Sequence, residues 1–186
     1  MSLDHEPRVP FIDERDQLPA EGRSHYDALT ESRGEIQGPF GVLLHSPELA
    51  SRVGRLGAYV RFESTLPDSD RELGVLTTAR AFDCAFEWAV HAPIAREAGV
   101  TEATLEAVIE RGLDQLGDRE ASIVRYGQEL FGDHAVSRGT YDAAESEFGT
   151  EGLVELTATM GYYAMLACVL NGFDVVPATG TPLDGE

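Results

Sequence analysis

The sequence predicts an all-α fold of about seven or eight helices. Apolar residues recur at helical spacing through most of residues 46–171. Glycines stand where those periodic runs end, at Gly99, Gly112, Gly132, Gly149 and Gly172. No segment alternates apolar and polar residues over strand length between hairpin-type turns.

Residues 1–20 carry Pro7, Pro10 and Pro19 among charges and read as an arm with little regular structure of its own. Ser46-Pro47-Glu48 is a helix start: a capping residue, a proline in the first turn and an acid near the positive end. Leu49, Val53, Leu56 and Val60 continue that helix at its period. Ser69-Asp70-Arg71-Glu72 fits a capping box ahead of Leu73, Val75 and Leu76. Asp83 can cap a further helix through Trp88 and His91 to Gly99, unless one longer helix passes through Asp83. Thr101 opens the next, with Leu105, Val108 and Ile109 on one face and Gly112 as the stop. Further helices fit Asp118–Phe131, Ser137–Phe148 and Thr150–Asn171. Leu153–Leu170 is apolar on nearly every side, so that helix is central to the domain or buried between subunits. The expected layout is an arm at 1–20, a helical domain at 21–176 and a tail at 177–186.

Composition narrows the function. A chain of 186 residues with 42% hydrophobic residues can build one core without disulfides or a structural metal. Fourteen basic against 33 acidic residues leave a net charge of −19, a surface that repels nucleic acid and anionic lipid. Neither nucleic acid nor membrane is therefore expected as a partner. All the basic residues are Arg, which excludes a Lys Schiff base, a pyridoxal-phosphate anchor and a P-loop Lys. An acidic excess without Lys resembles proteins of salt-loving organisms. Two cysteines, Cys84 and Cys168, make no disulfide scaffold, and MSLDHEPRVP lacks the apolar core of a signal peptide. The expected location is the cytoplasm.

The chemistry concentrates in one segment. On a helical wheel, Glu87 lies about 60° and His91 about 20° from Cys84, on one stripe. His91 follows Glu87 by one contact spacing. Thiol, carboxylate and imidazole on a partly apolar face can exchange protons. Glu72, on the preceding helix, reaches the same stripe if the two helices pack as a hairpin; its alternative is the capping role. Cys84 in a first turn would have its thiol pKa lowered by the helix dipole, against the push of Asp83 and Glu87. Glu87 among Phe86, Trp88, Ala89 and Val90 needs a partner, for which Arg80 and Arg96 are candidates. Trp88 reads as a packing anchor, and Tyr162 and Tyr163 as core, subunit-contact or pocket-lining residues. His45 reads as helix-start structure or a site residue. No metal or organic cofactor is expected: the paired Glu-x-x-His of di-iron sites, the dinucleotide glycine pattern and the Gly-x-Ser-x-Gly elbow are all absent.

These residues resemble the carboxymuconolactone decarboxylase family, which includes the alkylhydroperoxidase D-like proteins. The alkylhydroperoxidase pattern, Glu-x11-Cys-x-x-Cys-x3-His, finds Glu72, Cys84 and His91 at its places and Glu87 where the second thiol stands. Gly38-Pro39-Phe40, Leu43-Leu44-His45-Ser46-Pro47-Glu48, His91-Ala92-Pro93 through Ala98-Gly99-Val100, and Glu155-Leu156 before Gly161-Tyr162-Tyr163 extend the similarity over residues 35–175. The resemblance implies an alkylhydroperoxidase D-like bundle assembled as a trimer or hexamer. In the peroxidase branch two cysteines form a redox disulfide, which Glu87 denies to Cys84. The decarboxylase branch uses acid/base chemistry on a small lactone. The leading expectation is therefore proton transfer on a small lactone or oxygenated carboxylic acid, with Glu72, Cys84, Glu87 and His91 as site residues. The alternatives are a thiol peroxidase built on Cys84, resolved by Cys168 or an external thiol, and a non-catalytic helical oligomer that binds a ligand.

Overall fold

The computed structural model describes residues 6–178 and 180–183. Residues 1–5 of the expected arm, and 179 and 184–186 of the expected tail, lie outside the described residues. Eight α-helices and two short 3-10 turns make up the described regular structure: the turns Arg15–Gln17 and Ala20–Gly22, then α1 Arg23–Arg33, α2 Pro39–Leu43, α3 Pro47–Phe62, α4 Asp68–Ala81, α5 Ala85–Glu97, α6 Glu102–Glu110, α7 Asp118–Gly132 and α8 Arg138–Phe173.

Several expected boundaries hold for the expected reasons. The Thr101 hydroxyl accepts from the Thr104 amide at 3.1 Å and starts α6, and the Ser137 hydroxyl accepts from the Thr140 amide at 3.3 Å and starts α8. Gly149 interrupts α8 with φ 66° and ψ 171°, so the two helices expected on either side of it run on as one broken helix. Two starts are corrected. Helix α4 begins at Asp68 behind Pro67, which leaves Ser69 inside the helix and Glu72 free of any capping duty. Asp83 does not cap α5. It sits in the left-handed region (φ 45°) and pairs with Arg80, and Cys84 takes the position before the helix. That kink separates α4 from α5 and settles the choice against one long helix.

Helix α4 organises the bundle. Every residue from Asp70 to Ala79 is buried, because α5, α7 and α8 all pack on it. One core gathers Leu73, Leu76, Trp88, Leu105, Val108, Ile123, Leu156 and Met160. A second joins α1, α2 and α3 to α8 through Leu29, Phe40, Leu44, Val53, Val60 and Leu166. The second half of α8 threads both, and Leu156, Met160, Ala167 and Leu170 are fully enclosed by this chain's own helices. The stretch Met160–Leu170, a candidate subunit contact in the sequence, is thus substantially used within the monomer. Helix α8 as a whole is long and apolar enough to cross a membrane, yet 56% of its most apolar window is buried inside the domain.

Among the described residues the N-terminal segment has no helix before Arg15, but it is tied down. The Arg8 amide donates to Phe173 O at 2.9 Å and the Ile12 amide to Gly41 O at 3.0 Å. His45 spends its Nε2 on Pro10 O at 2.8 Å, which makes it a fastening for this segment. Ile12 and Leu18 are buried. Gly57 shows how closely α3 meets its neighbours: a methyl there would collide with the Tyr162 hydroxyl and the Arg33 guanidinium.

Candidate acid/base site between α4 and α5

The hairpin of α4 and α5 brings Glu72 against His91. Glu72 Oε2 lies 2.7 Å from His91 Nδ1, with both side chains almost wholly buried. A carboxylate accepts only, so Nδ1 carries the hydrogen and Nε2 turns the other way. The second Glu72 oxygen accepts from Arg71 Nε at 3.3 Å, and Arg71 in turn reaches Asp68 at 2.8 Å. Glu72 is thus held from both sides and holds the ring in turn. The edge-on ring of Tyr163, 4.9 Å from the imidazole centre at 84°, closes the remaining side.

His91 Nε2 lies 3.4 Å from Glu87 Oε2, one turn back on α5. The candidate partners Arg80 and Arg96 are engaged elsewhere, with Asp83 and Glu102. Glu87 is 4% exposed, and burial pushes its pKa up, against the pull of His91, Arg61 and Arg33. Glu87 and His91 line a cavity of about 110 Å³ whose walls include Phe40, Phe86 and Leu166. Arg33 and Arg61 reach the same cavity from α1 and α3, and Tyr162 and Tyr163 from α8. Arg33 stacks on Phe40 at 4.0 Å and donates from Nη2 to Gly54 O at 3.2 Å, while its buried Nε has no partner among the described residues. Arg61 has no ion pair among the described residues and lies over Phe62. Burial raises the Tyr162 pKa and raises that of Tyr163 further.

Of the four candidates, Glu87 and His91 face the cavity and Glu72 stands behind His91. Cys84 is set apart. It is fully buried among Val42, Phe86, Ala167, Leu170 and Val175, and it is not in the cavity wall. Its pKa is pushed up to about 12, first by burial and then by Glu87, and the amides of Glu87 and Phe86 only partly oppose this. Of the opposing influences on this thiol, the start of the helix is the weaker, because desolvation of the thiolate and the charge of Glu87 outweigh it. Cys168 is exposed, and both thiols are free. Iodoacetamide at pH 8 should label Cys168 and spare Cys84 in the folded chain, read by peptide mass spectrometry. Comparable labelling of both would contradict the enclosed position of Cys84. No three His, Cys, Asp or Glu side chains converge as metal ligands among the described residues. Trp88 is core, as its anchor reading had it.

Arg33 and Arg61 escaped the sequence reading. Each is one arginine among fourteen, on elements remote from the Glu87–His91 motif, and no local pattern singles them out.

Residues 47–129 match the carboxymuconolactone decarboxylase family. No curated protein matches the chain. Among solved structures, the chain is similar to an uncharacterized peroxidase-related protein of Ralstonia eutropha JMP134 with an alkylhydroperoxidase AhpD core, at 18% identity over 93% of each chain and a TM-score of 0.75. It is similar to the debrominase Bmp8 at 15% identity, covering 95% of this chain and 96% of that one, with a TM-score of 0.74. A peroxidase-related protein of Silicibacter sp. TM1040 gives 15% identity, coverage of 93% and 94%, and a TM-score of 0.72. At such identities the likeness is one of fold. The resemblance read from the residues thus holds: the chain has the alkylhydroperoxidase D-like fold, and the stretch that carries Glu72, Cys84, Glu87 and His91 matches the carboxymuconolactone decarboxylase family.

Proposed function

We propose that the chain is an enzyme that moves protons on a small lactone or oxygenated carboxylic acid. The observation that carries this reading is the line Glu72–His91–Glu87 ending in a small cavity that Arg33 and Arg61 also reach. Arg33 and Arg61 meet the substrate's carboxylate, since guanidinium groups match that geometry. Glu72 fixes the His91 ring, so Nε2 faces the cavity as the base and takes a proton from a carbon next to a carbonyl. Glu87, whose pKa burial raises, serves as the acid and gives its proton to the carbonyl oxygen as the carbon–hydrogen bond breaks. The imidazolium then returns a proton to carbon while the enol hydroxyl gives its proton back to the Glu87 carboxylate, which restores the carbonyl and both side chains. The apolar walls limit water around the developing charge.

A thiol peroxidase would need Cys84 as a thiolate, and the burial that raises its pKa to about 12 weighs against that route. The test is loss of ultraviolet absorbance across a panel of carboxylated lactones. Turnover by the wild type, lost in His91→Ala, supports the proposal. An inert wild type, or a Cys84→Ser variant that alone loses activity, rejects it. A homo-oligomer belongs to the same proposal. Leu49, Leu56, Tyr59 and Phe62 form an exposed stripe on α3, with Phe62 at 69% exposure, and this is the surface a second copy would cover. Light scattering that reads a trimer or hexamer supports it; a monomer at high micromolar concentration rejects it.

A further inference from the structure

A second cavity, of about 280 Å³, opens between α4, α6 and α7. It shares no wall residue with the one beside His91. Its apolar walls are Val108, Val124 and Phe131. Its polar side chains are Thr77, Arg80, Arg111 and Gln128. Thr77 is 3% exposed, and its hydroxyl has no hydrogen-bond partner among the described residues. A helical threonine commonly bonds the carbonyl four residues back, as Thr78 does to Gly74 at 2.9 Å. Thr77 does not, and a buried hydroxyl left unpaired calls for an explanation.

Two guanidinium groups border the same space. Arg111 ends α6 in the left-handed region (φ 58°), and its side chain has no ion pair among the described residues. Arg80 donates from Nε to Ile109 O at 2.8 Å and from Nη1 to Asp83, and its Nη2 makes no protein bond among the described residues. Gln128 gives its amide hydrogen to Arg111 O at 3.3 Å, which leaves its carbonyl as an acceptor. No carboxylate lines the cavity, in a chain whose net charge is −19. Positive side chains, an orphaned hydroxyl and apolar walls together describe a receptor for an amphipathic anion.

We infer that this cavity binds a small monocarboxylate with an apolar body, of the aryl or short alkyl kind. Arg111 and the free edge of Arg80 meet the carboxylate, the Thr77 hydroxyl supplies a further polar contact, and Val108, Val124 and Phe131 enclose the body. The site lies on α4, which also carries Glu72, but its side chains serve a different ligand position.

Titration calorimetry of the full chain with benzoate, and with benzamide as the neutral analogue, tests this. Saturable benzoate binding, at least tenfold weaker for benzamide, is expected. Arg111→Gln should weaken benzoate at least tenfold and Thr77→Val severalfold, while Arg52→Gln, in the exposed ion pair with Glu48 and outside both cavities, should leave it unchanged. Arg111 is exposed, so its replacement should not disturb folding. Absence of saturable benzoate binding, equal binding of benzamide, or loss in Arg52→Gln with none in Arg111→Gln would overturn the assignment.

Discussion

Replacing Glu87 by Gln should lower turnover by about 10²–10⁴-fold while relieving a pH-dependent instability. The side chain keeps its size, so the cavity and the contact with His91 Nε2 persist, but the proton donor is gone. The stability effect has a definite sign. Burial raises the Glu87 pKa in the folded chain, opposed by His91, Arg61 and Arg33. The unfolded chain releases this proton near the ordinary Glu pKa of about 4.3, whereas the folded chain still holds it. The stabilisation from holding that proton is fully present below the unfolded value. It is lost as pH rises through the folded one, by up to about 1.4 kcal/mol per pH unit. Gln does not titrate. Urea melts at pH 5, 6, 7 and 8 should therefore show the variant gaining on the wild type as pH rises. A difference that is flat, or that shrinks with pH, would mean that Glu87 is an ordinary carboxylate.

Glu72→Ala is expected to cost about 3–5 kcal/mol of stability, the range for breaking a buried pair by removing one partner. The Arg71 side chain is 11% exposed, and among the described residues Glu72 and Asp68 are its two carboxylate contacts. Without Glu72 the guanidinium keeps only Asp68, and His91 Nδ1–H loses its acceptor in a closed site. For a chain of this length about 2–4 °C per kcal/mol applies, so the melting temperature should fall by about 10 °C. Glu72→Gln keeps an acceptor for Nδ1–H and should lose less. A loss below about 1 kcal/mol for the alanine variant would fit a helix cap, and would contradict the grip on Arg71 and His91.

Helices announced themselves where a polar cap met a one-sided apolar stripe, as at Thr101 and Ser137. Helix α1 buries one apolar side chain, Leu29, so its stripe is too thin to register. Helix α2 is buried at all five positions and has no polar face to alternate with. The pair Glu87 and His91 was legible because both lie within α5, where wheel geometry applies. Cys84 was misplaced for a local reason. It precedes the helix with φ −87° and ψ 91°, so the 100° rotation per residue does not carry through it. Its sulfur enters the apolar cluster beside Ala167 and Leu170 instead of the cavity. Glu72 satisfied a capping pattern and a family pattern together, and the long-range contact with His91 decided between them. Arg33, Arg61 and Thr77 take their roles from helices that meet only in the folded chain.

The proposed chemistry requires Glu87 as a proton donor enclosed beside His91. Carbon-13 NMR of glutamate-labelled protein, with Glu87→Gln to assign the resonance, reads that carboxyl directly and requires no substrate. One carboxyl signal, absent from the variant, should titrate clearly above the ordinary glutamate range, and its midpoint should move when His91 is replaced by Ala. A Glu87 signal that titrates with the surface glutamates, indifferent to His91, would contradict the proposed chemistry.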